Sequence, residues 1–138
     1  MRRTSLLLVS VATALMLASG VAMAATITGT DRDETLKGTA FADTIRAEGG
    51  DDVVRGLGGG DEIRGDTGGD EINGGKSRDR LYGGPGDDQL YSIDFFTNSA
   101  GYPDAYRDVV DCGPGTDEAH VDYKDRVVDC EVVGTAIP

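Results

Sequence analysis

Aliphatic side chains recur every nine residues through the middle of the chain. From Ile27 onward, each step of nine residues reaches Ile, Leu or Val as far as Leu90. These positions are Ile27, Leu36, Ile45, Val54, Ile63, Ile72, Leu81 and Leu90. A composition rich in Gly and Asp is typical of disordered chains, because both residues are poor formers of helix and strand. The strict period instead predicts an ordered repeat with one inward-pointing side chain per copy.

Carboxylates and glycines keep the same period. Two residues before each aliphatic from Leu36 onward lies an acidic residue, namely Glu34, Asp43, Asp52, Asp61, Asp70, Asp79 and Asp88. Seven residues before the same aliphatics lies Gly in every copy but one, where Ala47 takes its place. Four residues before them, Gly is replaced by Arg32, Phe41 and Ser77 in three copies. Because glycine reaches positive φ without a Cβ clash, this spacing predicts a tight turn after each short strand.

The seven tandem copies resemble the nonapeptide G-G-x-G-x-D-x-U-x of the repeats-in-toxin (RTX) family. The closest copies are GLGGGDEIR (56–64), GDTGGDEIN (65–73) and GGPGDDQLY (83–91). The resemblance implies an all-β fold, the parallel β-roll, in which each nonapeptide forms a six-residue turn and a short strand. Two nonapeptides make one coil of this two-sheet solenoid, so residues 18 apart stack. The implied aliphatic stacks are Leu36/Val54/Ile72/Leu90 and Ile27/Ile45/Ile63/Leu81, with the flanking strand residues on a solvated outer face.

The resemblance also implies that several Ca²⁺ ions are cofactors. Stacked carboxylates about 4.8 Å apart repel one another, and a Ca²⁺ that accepts oxygens at about 2.3–2.6 Å can bridge them together with turn carbonyls. The candidate ligands are Asp43, Asp52, Asp61, Asp70, Asp79 and Asp88, with Glu34, Asp108 and Asp117 as weaker candidates. The pairs 52/70 and 70/88 are expected to be the best sites, followed by 43/61 and 61/79, and then 34/52. The alternative for these aspartates is plain solvation of Asp-Gly turns.

The register breaks after Leu90 and resumes later. Residues 92–107 are predicted to be a loop insertion, whose aromatic residues either cover the end of the roll or bind a partner. Aliphatic residues at the repeat spacing return at Val110, Ala119 and Val128. The third of these copies has Arg126 at the carboxylate position and Asp125 one place off. Residues 108–138 are therefore expected to form a degenerate repeat and C-terminal cap.

Two cysteines complete the C-terminal third. The step from Cys112 to Cys130 is twice the nonapeptide, which is one coil of the implied roll. Neighbouring strands at about 4.8 Å suit a disulfide, and we expect one to pin the cap. A zinc site or a nucleophilic cysteine lacks supporting residues, and the lone His120 is interpreted as a surface residue.

The N-terminus has the pattern of a secretory signal peptide. Arg2 and Arg3 precede an apolar run at 5–19, and Ala22-Met23-Ala24 fits a cleavage site. We expect cleavage after Ala24 and a secreted protein, since the apolar run is short for a membrane anchor and no charged residue follows it to stop transfer. The roll is then assigned to residues 25–91. The arginine pair is only a weak indication of the twin-arginine export route.

Charge narrows the function classes. The formal net charge is −12 and becomes −14 without Arg2 and Arg3, so nucleic acid is not an expected partner. We expect a monomer with no membrane span in the mature chain. The sequence does not identify a macromolecular partner. No nucleophile–base pair or catalytic motif is present, so we expect no enzyme, and an enzyme using paired aspartates is the weakest hypothesis. The leading hypothesis is a secreted calcium-binding module. The alternative is an extracellular structural or adhesive module that uses the aromatic residues of 92–106.

Overall fold

Very short strands make up the regular structure of the protein. The structure is a computed structural model, and it describes residues 23–94 and 106–135. These residues form no helix and twelve strands. The strands are β1 (Thr26–Thr28), β2 (Thr35–Lys37), β3 (Thr44–Arg46), β4 (Val53–Arg55), β5 (Glu62–Arg64), β6 (Glu71–Asn73), β7 (Arg80–Tyr82), β8 (Gln89–Tyr91), β9 (Val109–Asp111), β10 (Glu118–Val121), β11 (Arg126–Val128) and β12 (Val132–Thr135).

The strands alternate between two parallel sheets. One sheet has the order β1-β3-β5-β7-β9-β11 and the other the order β12-β10-β8-β6-β4-β2. Every pair is parallel, and from β1 to β8 the register advances by two nonapeptides from strand to strand, as in the pair Ile45 and Ile63. The chain therefore crosses from one sheet to the other with every strand. This confirms the predicted parallel β-roll, with about 18 residues per turn of the solenoid.

A single column of side chains from each sheet fills the space between the sheets. The central residue of each three-residue strand from β2 to β8 is buried, and its neighbours are exposed or half-buried. Ile45, Ile63, Ile72 and Leu81 have no solvent exposure. The pairing register confirms both predicted aliphatic stacks. The hydrophobic core is consequently only two side chains wide.

The roll resumes after the predicted insertion. β9 pairs with β7 and β10 pairs with β8, so that Val110 stacks on Leu81 and Ala119 on Leu90, which confirms that the roll resumes at Val110 and Ala119. The Cys112–Cys130 disulfide joins this coil to the next, with the two Cα atoms 5.2 Å apart. The predicted disulfide is confirmed.

The register of the last coil corrects one sequence interpretation. Val127, not Val128, pairs with Val110. The residue two positions before Val127 is Asp125, so the ladder position that was assigned to Arg126 holds a carboxylate after all. The coil from β9 to β11 is thus slightly shorter than the regular ones. The coil from β10 to β12 is shorter still, because Glu118 pairs with Val132.

Two sequence predictions fall largely outside the described residues. Residues 1–22 of the predicted signal peptide and residues 95–105 of the predicted insertion are not among them. Where the chain is described, no helix is long and apolar enough to span a membrane.

Candidate metal centre

Six-residue turns carry the carboxylates to the two edges of the roll. Gly68, at the fourth position before an aliphatic, has a φ of 126°, and a Cβ there would collide with the carbonyl oxygen of Gly50 in the preceding coil. The turn therefore needs glycine for both its backbone angle and its close approach to the neighbouring turn. Ser77 replaces this glycine in one copy and keeps a positive φ of 89°.

The carboxylates form one hydrogen-bonded ladder along each edge. The Asp70 ladder consists of Glu34, Asp52, Asp70, Asp88, Asp117 and Glu131. The Asp61 ladder consists of Asp43, Asp61, Asp79, Asp108 and Asp125. In both, the backbone N–H of each residue donates to a carboxylate oxygen of the next coil, as Asp52 does to Oδ1 of Asp70 at 2.9 Å. The structure thus brings together every carboxylate pair that the spacing of two nonapeptides predicted.

The second oxygen of most ladder carboxylates is left without a partner. Among the described residues, Oδ2 is buried and accepts no hydrogen bond in Asp52, Asp61, Asp70, Asp79, Asp88, Asp108 and Asp117. Leaving a buried polar oxygen unsatisfied costs about 1–3 kcal/mol, and more when it is charged. A row of seven such atoms is not explained by turn solvation, because they are out of contact with water.

Burial changes how these carboxyl groups hold protons. Loss of solvation is the main cause that raises the pKa of Asp61 and of Asp70 to about 6. The same cause raises the pKa of Asp88 and of Asp108 to about 7, and that of Asp79 to about 8. The charge of the neighbouring ladder carboxylates contributes in the same direction. Ionised, the ladders therefore need a compensating positive charge.

Three of the unpartnered oxygens, those of Asp61, Asp70 and Asp88, share their space with a backbone carbonyl of the next coil. A Cβ placed on Gly65 would collide with Oδ2 of Asp70 and lie 2.7 Å from the carbonyl oxygen of Gly83. On the other edge, a Cβ on Gly56 would collide with both Oδ2 of Asp61 and the carbonyl oxygen of Gly74. Both oxygens thus border one small space that only glycine leaves open. Carboxylate and carbonyl oxygens are the ligands that Ca²⁺ prefers.

The oxygen atoms available to a metal ion do not come from side chains alone. In the described part of the chain, no three His, Cys, Asp or Glu side chains converge on one point. The ladder geometry offers two carboxylates from adjacent coils together with turn carbonyls, which is a different kind of donor set. These residues fit a hard, oxygen-seeking cation and not a zinc-type site.

The structure adds acidic residues that sequence reasoning missed. Asp125 and Glu131 end the two ladders, and Asp94 and Asp122 are buried beside the Asp61 ladder. Asp125 was misplaced because adjacent valines, Val127 and Val128, fit the repeat equally well. The other three lie where no nine-residue period exists, so the period could not reveal them.

His120 lies on the outer face of its sheet. It stacks on Tyr91 with ring centroids 4.8 Å apart, and its Nε2 lies 3.0 Å from a carboxylate oxygen of Glu118. This position agrees with the surface role that the sequence predicted.

Comparison with known proteins bears on these ladders directly. The family model of the RTX calcium-binding nonapeptide repeat, which spans four copies, matches residues 28–63 and again residues 64–92. This family binds calcium and is not a catalytic one. Comparisons with curated proteins and with solved structures gave no significant match. Residues 28–92 of this chain therefore belong to the RTX calcium-binding nonapeptide repeats.

Proposed function

We propose that the protein is a secreted calcium-binding module that folds when Ca²⁺ enters its two carboxylate ladders. The observation that carries the proposal is the row of buried, unpartnered Oδ2 atoms, three of which lie beside a turn carbonyl. The RTX repeats over most of these positions support calcium as the ion.

The proposed ligands are the ladder carboxylates, with each ion between two coils. Asp52, Asp61, Asp70, Asp79 and Asp88 have the buried oxygens that an ion would satisfy. Asp43 begins one ladder, and its carboxylate already accepts two hydrogen bonds from Thr39. Glu34 is a weaker ligand, because its side chain turns back to accept the backbone N–H of Thr30. Asp108 and Asp117 extend the same arrangement beyond the matched repeats.

Folding is proposed to depend on the ion. A two-side-chain-wide core is a small source of stability for a chain of charge −12. Buried ladder carboxylates add repulsion once they are ionised, and Ca²⁺ removes it. An ion that binds the folded chain alone then stabilises it by mass action.

The N-terminal sequence and the disulfide support an extracellular site of action. The N-terminal residues 1–24 have the composition of a signal peptide, and the Cys112–Cys130 disulfide fits an oxidising compartment. Extracellular Ca²⁺ is abundant enough to occupy sites in the millimolar range.

A calcium titration of the purified protein tests the proposal. We expect far-UV circular dichroism of a largely unfolded chain in chelator, and of β structure after Ca²⁺ is added. A spectrum that ignores chelator, in protein shown by elemental analysis to be metal-free, would refute it.

A pair of variants from one turn tests the ligands. Asp70→Asn removes a charge from the ladder, whereas Asp66→Asn removes one from a partly exposed side chain that pairs with Arg46 at 3.2 Å. We expect Asp70→Asn to raise the calcium concentration at half-transition at least tenfold. Asp66→Asn should change it less than twofold. Equal shifts would contradict the assignment of Asp70 as a ligand.

A further inference from the structure

A buried carboxylate outside the repeat pattern lies next to the Asp61 ladder. Asp94 follows β8 by three residues and is 3% exposed. Its Oδ2 accepts the backbone N–H of Tyr106 at 3.4 Å, and the carboxyl group also interacts with the backbone N–H of Ser77. Its Oδ1 is buried and has no hydrogen-bond partner in the described residues. A buried carboxylate oxygen in this state calls for a compensating positive charge.

The groups around Asp94 are themselves acidic. Asp122 is 5% exposed and accepts the backbone N–H of Asp94 at 2.9 Å. Asp108 has no exposure, and its Oδ2 is also unpartnered. Burial is the main cause that raises the pKa of Asp94 to about 6, although hydrogen bonds from the backbone of Tyr106 and Ser77 lower it. The negative charges of Asp122 and Asp125 raise the pKa further. Four carboxylates thus lie within electrostatic reach of one another.

Two of these four carboxylates already accept hydrogen bonds. Asp125 accepts the backbone N–H of Asp108 at Oδ1, and at Oδ2 it accepts the hydroxyl of Ser92 and the backbone N–H of Asp122. Asp122 already holds the N–H of Asp94. The buried oxygens of the cluster that accept no hydrogen bond are Oδ1 of Asp94 and Oδ2 of Asp108.

The position of Asp94 explains why a side chain is needed there. Regular coils connect the sheets by a six-residue turn such as 74–79, whose carbonyls face a ladder carboxylate. The connection between β8 and β9 is far longer and runs from 92 to 108, so the repeat turn is interrupted at this point. The preceding turn has also lost its glycine to Ser77, whose N–H binds Asp94 instead. Asp94 therefore brings a carboxylate close to Asp108 of the Asp61 ladder from a position outside the nine-residue period.

We infer that Asp94 and Asp108 hold an additional Ca²⁺ at the interrupted turn, with Asp94 as a ligand that belongs to no repeat. The inference rests on the proposed function, since it requires that Oδ2 of Asp108 binds an ion as the other ladder oxygens do. It adds a site outside the residues that match the RTX repeats.

Native mass spectrometry of the calcium-loaded full chain tests the inference. Asp94→Asn keeps the size and an oxygen that can accept the backbone N–H of Tyr106, but it removes the charge. We expect it to bind one ion fewer than the unmodified chain at the same free calcium. The matched control is Asp129→Asn, which removes one charge from an exposed residue of the same C-terminal region and should leave the count unchanged. An unchanged count in Asp94→Asn would overturn the inference.

The ladder variant Asp70→Asn separates this result from the proposed function. Loss of an ion in Asp70→Asn but not in Asp94→Asn leaves the proposed function standing and refutes the site at Asp94. Absence of bound calcium in all of the chains refutes both.

A second measurement covers the case in which Asp94→Asn fails to fold. Tb³⁺ replaces Ca²⁺ at oxygen sites and emits when a nearby tyrosine absorbs light. Tyr106 is exposed and lies two residues from Asp108, and its backbone N–H donates to Asp94. We expect Tyr106→Phe to reduce the sensitised emission of the Tb³⁺-loaded chain. Emission equal to that of the unmodified chain would overturn the site.

Discussion

Truncation of Ile63 tests whether the narrow core stabilises the roll as the structure indicates. Ile63 has no solvent exposure and stacks between Ile45 and Leu81, which are also fully buried. Ile63→Ala removes three buried carbons, worth about 2.4 kcal/mol at about 0.8 kcal/mol each. Hydrogen bonds hold the strands on both sides at fixed spacing, so the cavity cannot close, and the total loss should reach about 4 kcal/mol.

The matched control is the same substitution at the end of the same stack. Ile27 is only half-buried and has a neighbour on one side, Ile45. Ile27→Ala should therefore cost about 1 kcal/mol. Both variants are compared with the unmodified chain by urea denaturation at one saturating calcium concentration, because bound ion contributes to the measured stability. A loss below about 1.5 kcal/mol at Ile63, or equal losses at the two positions, would refute the one-column core.

Three further outcomes follow from the turns, the disulfide and the buried carboxyl groups. Replacing Cys112 and Cys130 by Ser should lower the free energy of unfolding by about 3 kcal/mol even in saturating calcium, and an unchanged denaturation midpoint would argue against it. Gly65→Ala should weaken calcium binding, because the new Cβ would collide with the ladder carboxylate of Asp70. Gly58→Ala is the control and should leave calcium binding unchanged, since the nearest atom to its Cβ would be 3.9 Å away. Calorimetric titration of calcium compares the two variants. In chelator, the stability of the roll should fall as the pH rises from about 4 to about 8. The reason is that burial raises the pKa of Asp79 to about 8, so the folded chain keeps a proton that the unfolded chain has released. Circular dichroism that shows more β structure at pH 8 than at about pH 4.5 would contradict this prediction.

The period made most of the roll predictable from sequence. Because each strand contributes one buried side chain, a step of nine residues identified Ile63 as a core residue. The coil of two nonapeptides that the RTX resemblance implies then assigned Ile63 to its stack and placed Asp61 and Asp70 on opposite edges. Regular spacing thus carries the tertiary contacts of this fold in the primary structure.

The sequence predictions failed where the nine-residue spacing does not distinguish between neighbouring residues. Val127 and Val128 are equally able to fill the core, and only the short connection from β10 to β11 selects the first. Asp94 has no repeat position, so its burial depends on where the chain leaves the roll after β8. Both features are decided by three-dimensional packing that a one-dimensional period does not contain.

The ladder hydrogen bonds allow the copies within this one chain to be compared as natural variants. A backbone N–H that reaches across to the next coil needs only an acceptor, and the amide oxygen of Asn would serve it as well as Oδ1 of Asp does. Yet all eleven ladder positions carry Asp or Glu, and none carries Asn. Neutral residues would have avoided the repulsion between neighbouring rungs while keeping every hydrogen bond. The feature that the copies share is therefore the negative charge. The backbone hydrogen bonds do not require this charge, whereas the binding of a cation does.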